Sequence, residues 1–169
     1  SSPVILLKAI PLVIKRFPNV LFVIAGHGDI SKYKHLMKNI PSKNLVIINN
    51  YIPENYVHEL LSYADIIVLP YTFHKGYSGV VRLALLHCLP IIATNVGDLS
   101  ELIKNGKLGI LTEPNNPEAL SKTIVNIITN NNLLEEIRQN IAKYLTEEIK
   151  DEISYIDIFR YIIKAIEEK

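Results

Sequence analysis

The stretch that decides the fold runs from Asp65 to Leu111: DIIVLPYTFHKGYSGVVRLALLHCLPIIATNVGDLSELIKNGKLGIL. It opens with a short apolar run, Asp65–Leu69, that stops at Pro70. A loop follows over Tyr71–Tyr77, and Ser78 starts a helix through about His87. A second apolar run, PIIA at Pro90–Ala93, leads to a short helix over Leu99–Lys104 and a third run at Gly109–Leu111. Short aliphatic and β-branched runs without polar alternation are strands buried on both faces. Strands that alternate with helices form a parallel sheet with helices on both sides. Working upstream, the same alternation appears. NVLFVIA (Asn19–Ala25) predicts a buried strand ending in the turn Gly26-His27-Gly28, and LVII (Leu45–Ile48) predicts another. Helices are expected from Ser2-Pro3 to about Phe17 with a bend at Pro11, over Tyr33–Asn39, and over Glu54–Ala64. Downstream come helices only: Pro117–Thr129, Asn132–Glu148 and Ser154–Glu168. The expectation is one α/β domain over residues 1–169, a doubly wound, Rossmann-like parallel sheet with extra C-terminal helices.

Length and composition agree. A chain of 169 residues buries roughly 70% of its unfolded surface without a disulfide or metal staple. Its 49% apolar and 21% charged residues are globular composition. A net charge of +1 gives no basic field for nucleic acid. The charge is uneven, however. Residues 1–85 carry nine Lys/Arg against four Asp/Glu, and residues 86–169 carry nine against thirteen, so an anionic ligand is favoured on the first half. The acidic half reads equally well as a set of solvated helices. A lone cysteine, Cys88, allows no intrachain disulfide and fits a reducing, cytoplasmic compartment. No apolar run reaches the roughly 20 residues of a membrane span. The opening SSPVILLKAI lacks a basic n-region and cleavage site.

Ligands of open parallel sheets sit beyond the carboxyl ends of the strands. Four segments fall there. Gly26-His27-Gly28 lets the backbone turn sharply and approach a ligand, but it is equally a plain strand-to-helix turn, since position 31 is Ser where a third glycine would complete the dinucleotide pattern. Lys75-Gly76-Tyr77-Ser78-Gly79-Val80 precedes a helix whose free N–H groups suit an anion. Lys75 adds positive charge, Tyr77 covers an apolar face, and Tyr71 opens the same loop; the bland alternative is that Ser78 is only an N-cap. The G-x-x-x-x-G-K-[ST] spacing of a P-loop is absent, and a G-x-S-x-G nucleophile elbow fails because position 80 is Val. Asn50-Tyr51-Ile52-Pro53 is an aromatic edge able to flank a flat base or simply to pack as a loop. Thr94–Glu101 is a polar turn in which Glu101 either meets a ligand or serves as a first-turn helix carboxylate. No metal site is expected: His87-Cys88 is not spaced for ligation, and His27, His35, His58 and His74 form no recognised pattern.

These segments, in this order, resemble the C-terminal half of GT-B retaining glycosyltransferases of the large group known as family 4 or group 1. VLFVIAGHGD resembles the family's strand and Gly-x-Gly turn, and VIINNYIPENYVHELLSYADIIVLPY resembles its strand–loop–helix–strand unit. The most specific part is CLPIIATNVGDLSELIKNGKLGILTEPNNPEALSKTI, similar to the family's Gly-x-Pro, Thr-Asn-x-Gly-x-x-x-Glu, Asn-Gly-x-x-Gly-x-Leu and Asn-Pro-x-x-Leu succession. A final helix with Tyr155, Phe159 and Tyr161 resembles the family's closing helix. The resemblance implies a domain that binds a UDP-, GDP- or ADP-linked sugar and donates a hexosyl group with retention, without an obligatory metal or other cofactor. It implies that Gly26, His27 and Gly28 border the phosphates or sugar, and that Tyr51 and Ile52 border the base. Ser78, Gly79 and Val80 would offer backbone N–H groups to the diphosphate, with Tyr71, Gly76, Tyr77 and Glu101 around the donor; Lys75 is the candidate catalytic residue on its own charge, not on the resemblance. The family places glutamates where this chain has Lys75 and Leu83, so the donor geometry differs from the usual one. The resemblance also implies a preceding strand with an arginine and a following lysine, absent from these residues, central in the sheet order. It implies too an acceptor-binding N-terminal domain and a full-length enzyme that is cytoplasmic or peripheral at a membrane. A non-catalytic interaction module and an epimerase on the same two-domain plan are the competing classes.

Overall fold

A computed structural model describes residues 2–76 and 78–148. Tyr77 and the helix expected over Ser154–Glu168 lie outside the described residues. The chain begins with helix α1 (Ser2–Ile14). Strand β1 (Phe22–Ala25), a 3₁₀ turn (Ser31–Tyr33), helix α2 (Lys34–Met37) and strand β2 (Leu45–Ile48) follow. Next come α3 (Glu54–Tyr63), β3 (Ile67–Leu69), α4 (Gly79–Leu86) and β4 (Ile91–Thr94). The described part ends with α5 (Leu99–Leu102), β5 (Gly109–Thr112), α6 (Pro117–Thr129), α7 (Asn131–Lys143) and a π-turn at Tyr144–Glu148. All strand pairs are parallel, as the continuous apolar runs predict.

The sheet is in two pieces. β1 pairs with β2, with Phe22 opposite Leu45 and Ala25 opposite Ile48. β4 lies between β3 and β5, with Ile92 opposite Val68 and Ile110. The order within each piece fits the doubly wound expectation, and among the described residues no strand of one piece pairs with a strand of the other. This division explains a departure from the sequence reading. The run Asn19–Ala25 is not a fully buried strand: only Phe22–Ala25 is strand, Leu21 is exposed, and the cross-strand partners Val23 and Val46 are 46% and 41% exposed. A strand paired on one edge in a two-stranded piece lacks the neighbours that bury a central strand. β4, paired on both edges, is buried along its whole length.

Helices join the pieces through a shared core. α1 buries Ile5, Leu7, Ala9, Ile10 and Val13 and packs most extensively on α6, which buries Leu120, Ile124 and Ile127. α1 ends at Ile14 rather than Phe17, closing with turn bonds from Lys15 N–H to the Pro11 carbonyl and from Phe17 N–H to the Val13 carbonyl. The start of α6 follows from its sequence: Pro117 opens the first turn, and the Asn116 side chain accepts from the Ala119 N–H at 2.9 Å. Asn130 caps α7 the same way through Leu133 N–H. The buried Asn44 side chain donates to the carbonyls of Pro18 and Val20, tying the entry of β2 to the connection before β1. The helix expected over Tyr33–Asn39 is present as the single turn of α2, Lys34–Met37, with Tyr33 closing the preceding 3₁₀ turn.

Candidate donor-binding site

On the carboxyl edge of the two-stranded piece, β1 runs into Gly26, which donates to the Ile48 carbonyl and has φ +142°, a conformation that L side chains rarely adopt. His27 and Gly28 are exposed. The Gly28 N–H donates to the Asn49 side-chain oxygen at 3.0 Å, so the Gly-x-Gly turn is fastened to the end of β2. The chain then forms an Asx turn. Asp29 accepts from the Ser31 hydroxyl at 2.6 Å and the Ser31 N–H at 3.0 Å. These bonds, the hydroxyl first, hold its carboxyl below the ordinary aspartate range, with the Lys32 charge assisting. Ser31, the residue that interrupts the longer glycine pattern, is thus engaged in this turn.

Beyond β2, Tyr51 is 82% exposed and Ile52 is half-buried. Both line an open hollow of about 360 Å³, with Ile48, Pro53, Tyr56, Leu60 and Tyr63 among its other walls. The aromatic edge expected from Asn50–Pro53 is therefore one wall of a larger tyrosine-lined depression. The α3 contribution, Tyr56 and Tyr63 at i and i+7, escaped the sequence reading because Val57, Leu60 and Leu61 defined the buried face of that helix.

On the carboxyl edge of the three-stranded piece, the loop after β3 is fixed by the loop after β4. Thr94, wholly buried, donates from its hydroxyl to the Tyr71 carbonyl at 2.5 Å. The Tyr71 ring is half-buried and stacks on His74 with centroids 5.5 Å apart; burial raises its phenol above the usual tyrosine range. His74 Nε2 lies 3.0 Å from the Gly76 carbonyl oxygen, which can only accept, so this nitrogen carries the proton. The Gly76 N–H, for its part, donates to Asp98 Oδ2 at 2.6 Å. Gly97, at φ +51°, lies so close that any Cβ would run into the His74 carbonyl. Lys75 is exposed.

The loop delivers Ser78, 7% exposed, as the N-cap of α4, its hydroxyl accepting from Val81 N–H at 3.3 Å. Gly79 and Val80 form the exposed first turn, whose amides have no partner within the helix. The capping role and the anion role expected of this segment are compatible, since the cap leaves those two amides to an outside acceptor. Leu83, where a glutamate would reach toward ribose in the resembled family, is half-buried and packed against the core. Glu101 is exposed on the single turn of α5. Asn49, His74 and Asp98 shape these loops; of the three, only His74 was placed on the ligand face from the sequence, and without a role. Each acts on a backbone group of a distant segment, and only the Gly97-Asp98 and Asn49-Asn50 turn pairs hinted at them.

Two histidines meet at a helix end. His58 Nδ1 and His87 Nε2 are 3.0 Å apart with the rings stacked, joining α3 to the C-cap of α4. The bond needs one nitrogen with a proton and one without. Cys88 next to it takes φ +52° and is half-buried, and burial pushes its thiol up, the Arg138 charge pulling the other way. Among the described residues, no group of three or more His, Cys, Asp or Glu could hold a metal ion, and no helix is long and apolar enough to cross a membrane.

Comparisons with known proteins agree with this architecture. The C-terminal domain of a glycosyl transferase group 1 family protein (LpcC) from Francisella tularensis superimposes with a TM-score of 0.75, at 22% identity, covering 86% of this chain and 78% of that one. Anabaena HepE, solved in complex with UDP and glucose, gives a TM-score of 0.71 at 20% identity over 98% of this chain and 44% of its own. In sequence, the chain is 28% identical over 144 residues to an uncharacterized glycosyltransferase of Methanocaldococcus jannaschii. It is 32% identical over 123 residues to the D-inositol 3-phosphate glycosyltransferase of Paenarthrobacter aurescens. The matches take in 84% and 69% of this chain but only 36% and 30% of those relatives. The family model described as glycosyl transferases group 1 matches residues 3–130, from the first helix through the end of α6. The chain therefore has the Rossmann-like fold of a GT-B C-terminal domain and belongs to the group 1 glycosyl transferases.

Proposed function

We propose that this chain is the nucleotide-sugar donor-binding domain of a retaining glycosyltransferase. In this reading the enzyme moves a hexosyl group from a UDP-, GDP- or ADP-linked donor to an acceptor held by a second, N-terminal domain of the longer protein. The observation that carries it is the first turn of α4. Ser78 satisfies the Val81 amide, leaving the exposed Gly79 and Val80 amides at the positive end of an eight-residue helix, beside the carboxyl end of β3. Bond cleavage at the anomeric carbon leaves the electron pair and negative charge on the departing diphosphate. Pre-oriented amides lower the barrier by meeting that charge as it develops. Lys75 supplies a full positive charge at the same loop, and the proposal needs no metal for this step. Tyr51 and Ile52 offer a flat apolar wall to a base, and the fastened Gly26–Gly28 turn gives the phosphates or sugar a side-chain-free approach. Support also comes from the share of each relative's length that the chain matches, which leaves room in the longer proteins for an acceptor domain.

A second reading, a non-catalytic interaction module, is favoured by Leu83, whose packed side chain offers a ribose no hydrogen bond. The two separate in one set of measurements on the full-length protein. Calorimetric titration with UDP, GDP, ADP and their sugar adducts is expected to show one preferred nucleotide, and transfer or slow hydrolysis of its sugar adduct. Binding without turnover selects the module. Failure to bind any of the three nucleotides overturns the donor-binding reading.

A further inference from the structure

We infer that Asp98 is a positioning residue for the α4 anion site: its carboxylate acts as an internal anchor that fixes the loop 71–76 through the Gly76 amide. The observations converge on one residue. Gly76 has φ +79° and is exposed, so nothing in its own packing determines its conformation. Both of its backbone polar groups are nevertheless held by side chains. Its N–H donates to Asp98 Oδ2 at 2.6 Å, and its carbonyl accepts from His74 Nε2 at 3.0 Å. A short bond from an N–H to a carboxylate is of the stronger, charge-assisted kind.

The anchor itself is rigidly placed. Gly97, the preceding residue, sits against the His74 carbonyl with no room for a side chain, and Thr94, three residues further back, is buried on the Tyr71 carbonyl. The two loops therefore meet at Tyr71, His74 and Gly76, and the last of these contacts lies two residues before the Ser78 cap. Asp98 bonds the backbone of Gly76, two residues before the Ser78 cap, so its proposed effect on the α4 site is through the loop. A loop held this way before a ligand arrives does not have to be ordered by it, and that saving appears as affinity.

The ligand-binding part of this inference rests on the donor-binding reading, and the test separates the two. The full-length protein, its D98A variant and its D98N variant are compared by amide hydrogen exchange of the peptide spanning residues 71–80 and by calorimetric titration with UDP, GDP and ADP. Asparagine keeps an acceptor oxygen and loses the charge. Expected are faster exchange in this peptide for D98A, largely restored by D98N, with unchanged exchange in peptides covering β4 and α6. Affinity for the bound nucleotide falls about tenfold to a hundredfold in D98A, the loss that a charged hydrogen bond accounts for, and recovers substantially in D98N. Exchange and affinity in D98A equal to the parent overturn the inference. So does tighter nucleotide binding in D98A, which would make the carboxylate a competitor of the anion. So does a global loss of protection in both variants, which would make Asp98 a general structural residue. If the parent binds none of the nucleotides but its exchange pattern responds to D98A and D98N as expected, the donor-binding reading fails and the anchor stands.

Discussion

At the scale of single residues, the loop chemistry depends on positions where the side chain is decided by space and burial. Gly97 is the sharpest. It combines a left-handed φ with a Cβ direction blocked by the His74 backbone. Gly97→Ala is expected to cost about 3 kcal/mol or more, measured by denaturant unfolding, because neither the strain nor the clash is relieved without moving the loop. Tyr71 and Cys88 make a second prediction. Burial raises both ionisations above their ordinary values in the folded state. The native state then holds protons that the unfolded chain has already released, so stability falls as pH rises. The contribution is complete below the ordinary cysteine and tyrosine range and is lost as pH climbs through the raised folded values. Unfolding followed across the alkaline range is expected to show this decline, with a shallower slope in Tyr71→Phe, which has no phenol to ionise.

At the scale of elements, α4 is where sequence and structure agree most closely. Ser78 before an apolar helix is a cap signal, and the structure makes it one. Gly79 needs no special backbone angle and has open space around an added Cβ. Gly79→Ala is therefore expected to leave unfolding stability within about 0.5 kcal/mol of the parent. The same methyl group stands where a diphosphate would approach the first-turn amides, so nucleotide affinity in the full-length protein is expected to drop while stability does not. Equal affinity would argue against this turn as the anion site. Elements were legible where local signals were strong: the Asn116-Pro117 start of α6, the aliphatic run of β2, and Pro53 before α3. They were less legible at Asn19–Ala25, where hydrophobicity extends past the hydrogen-bonded strand, and at Tyr33–Asn39, where the helix is shorter than its pattern, Lys34–Met37.

At the scale of the whole molecule, burial is unequal between the two sheet pieces. β4 is sealed by strands on both edges and by the helical core, whereas β1 and β2 leave Val23 and Val46 on the surface. Ile92→Ala is expected to cost about 2–5 kcal/mol, the range for a buried large-to-small change. Val46→Ala should cost under about 1 kcal/mol, because a side chain already 41% exposed loses little on truncation. Thermal or denaturant unfolding of the two variants measures the contrast. Comparable costs would mean that the β1–β2 face is covered in the intact protein.

The sequence by itself determined the α/β alternation, the parallel strands, the family and the loops on which a ligand site would be built. Those follow from periodicity, caps and motif order, all of which are local along the chain. Tertiary structure alone decided the tyrosines that α3 adds to the hollow beside Tyr51. It also decided the pairing of His58 with His87 and the hold of Asp98 on Gly76. Each of these joins groups separated by a helix or strand, and a hydrogen bond or shared wall across that distance leaves no periodic mark in the sequence. It exists only once packing has brought the two backbones together.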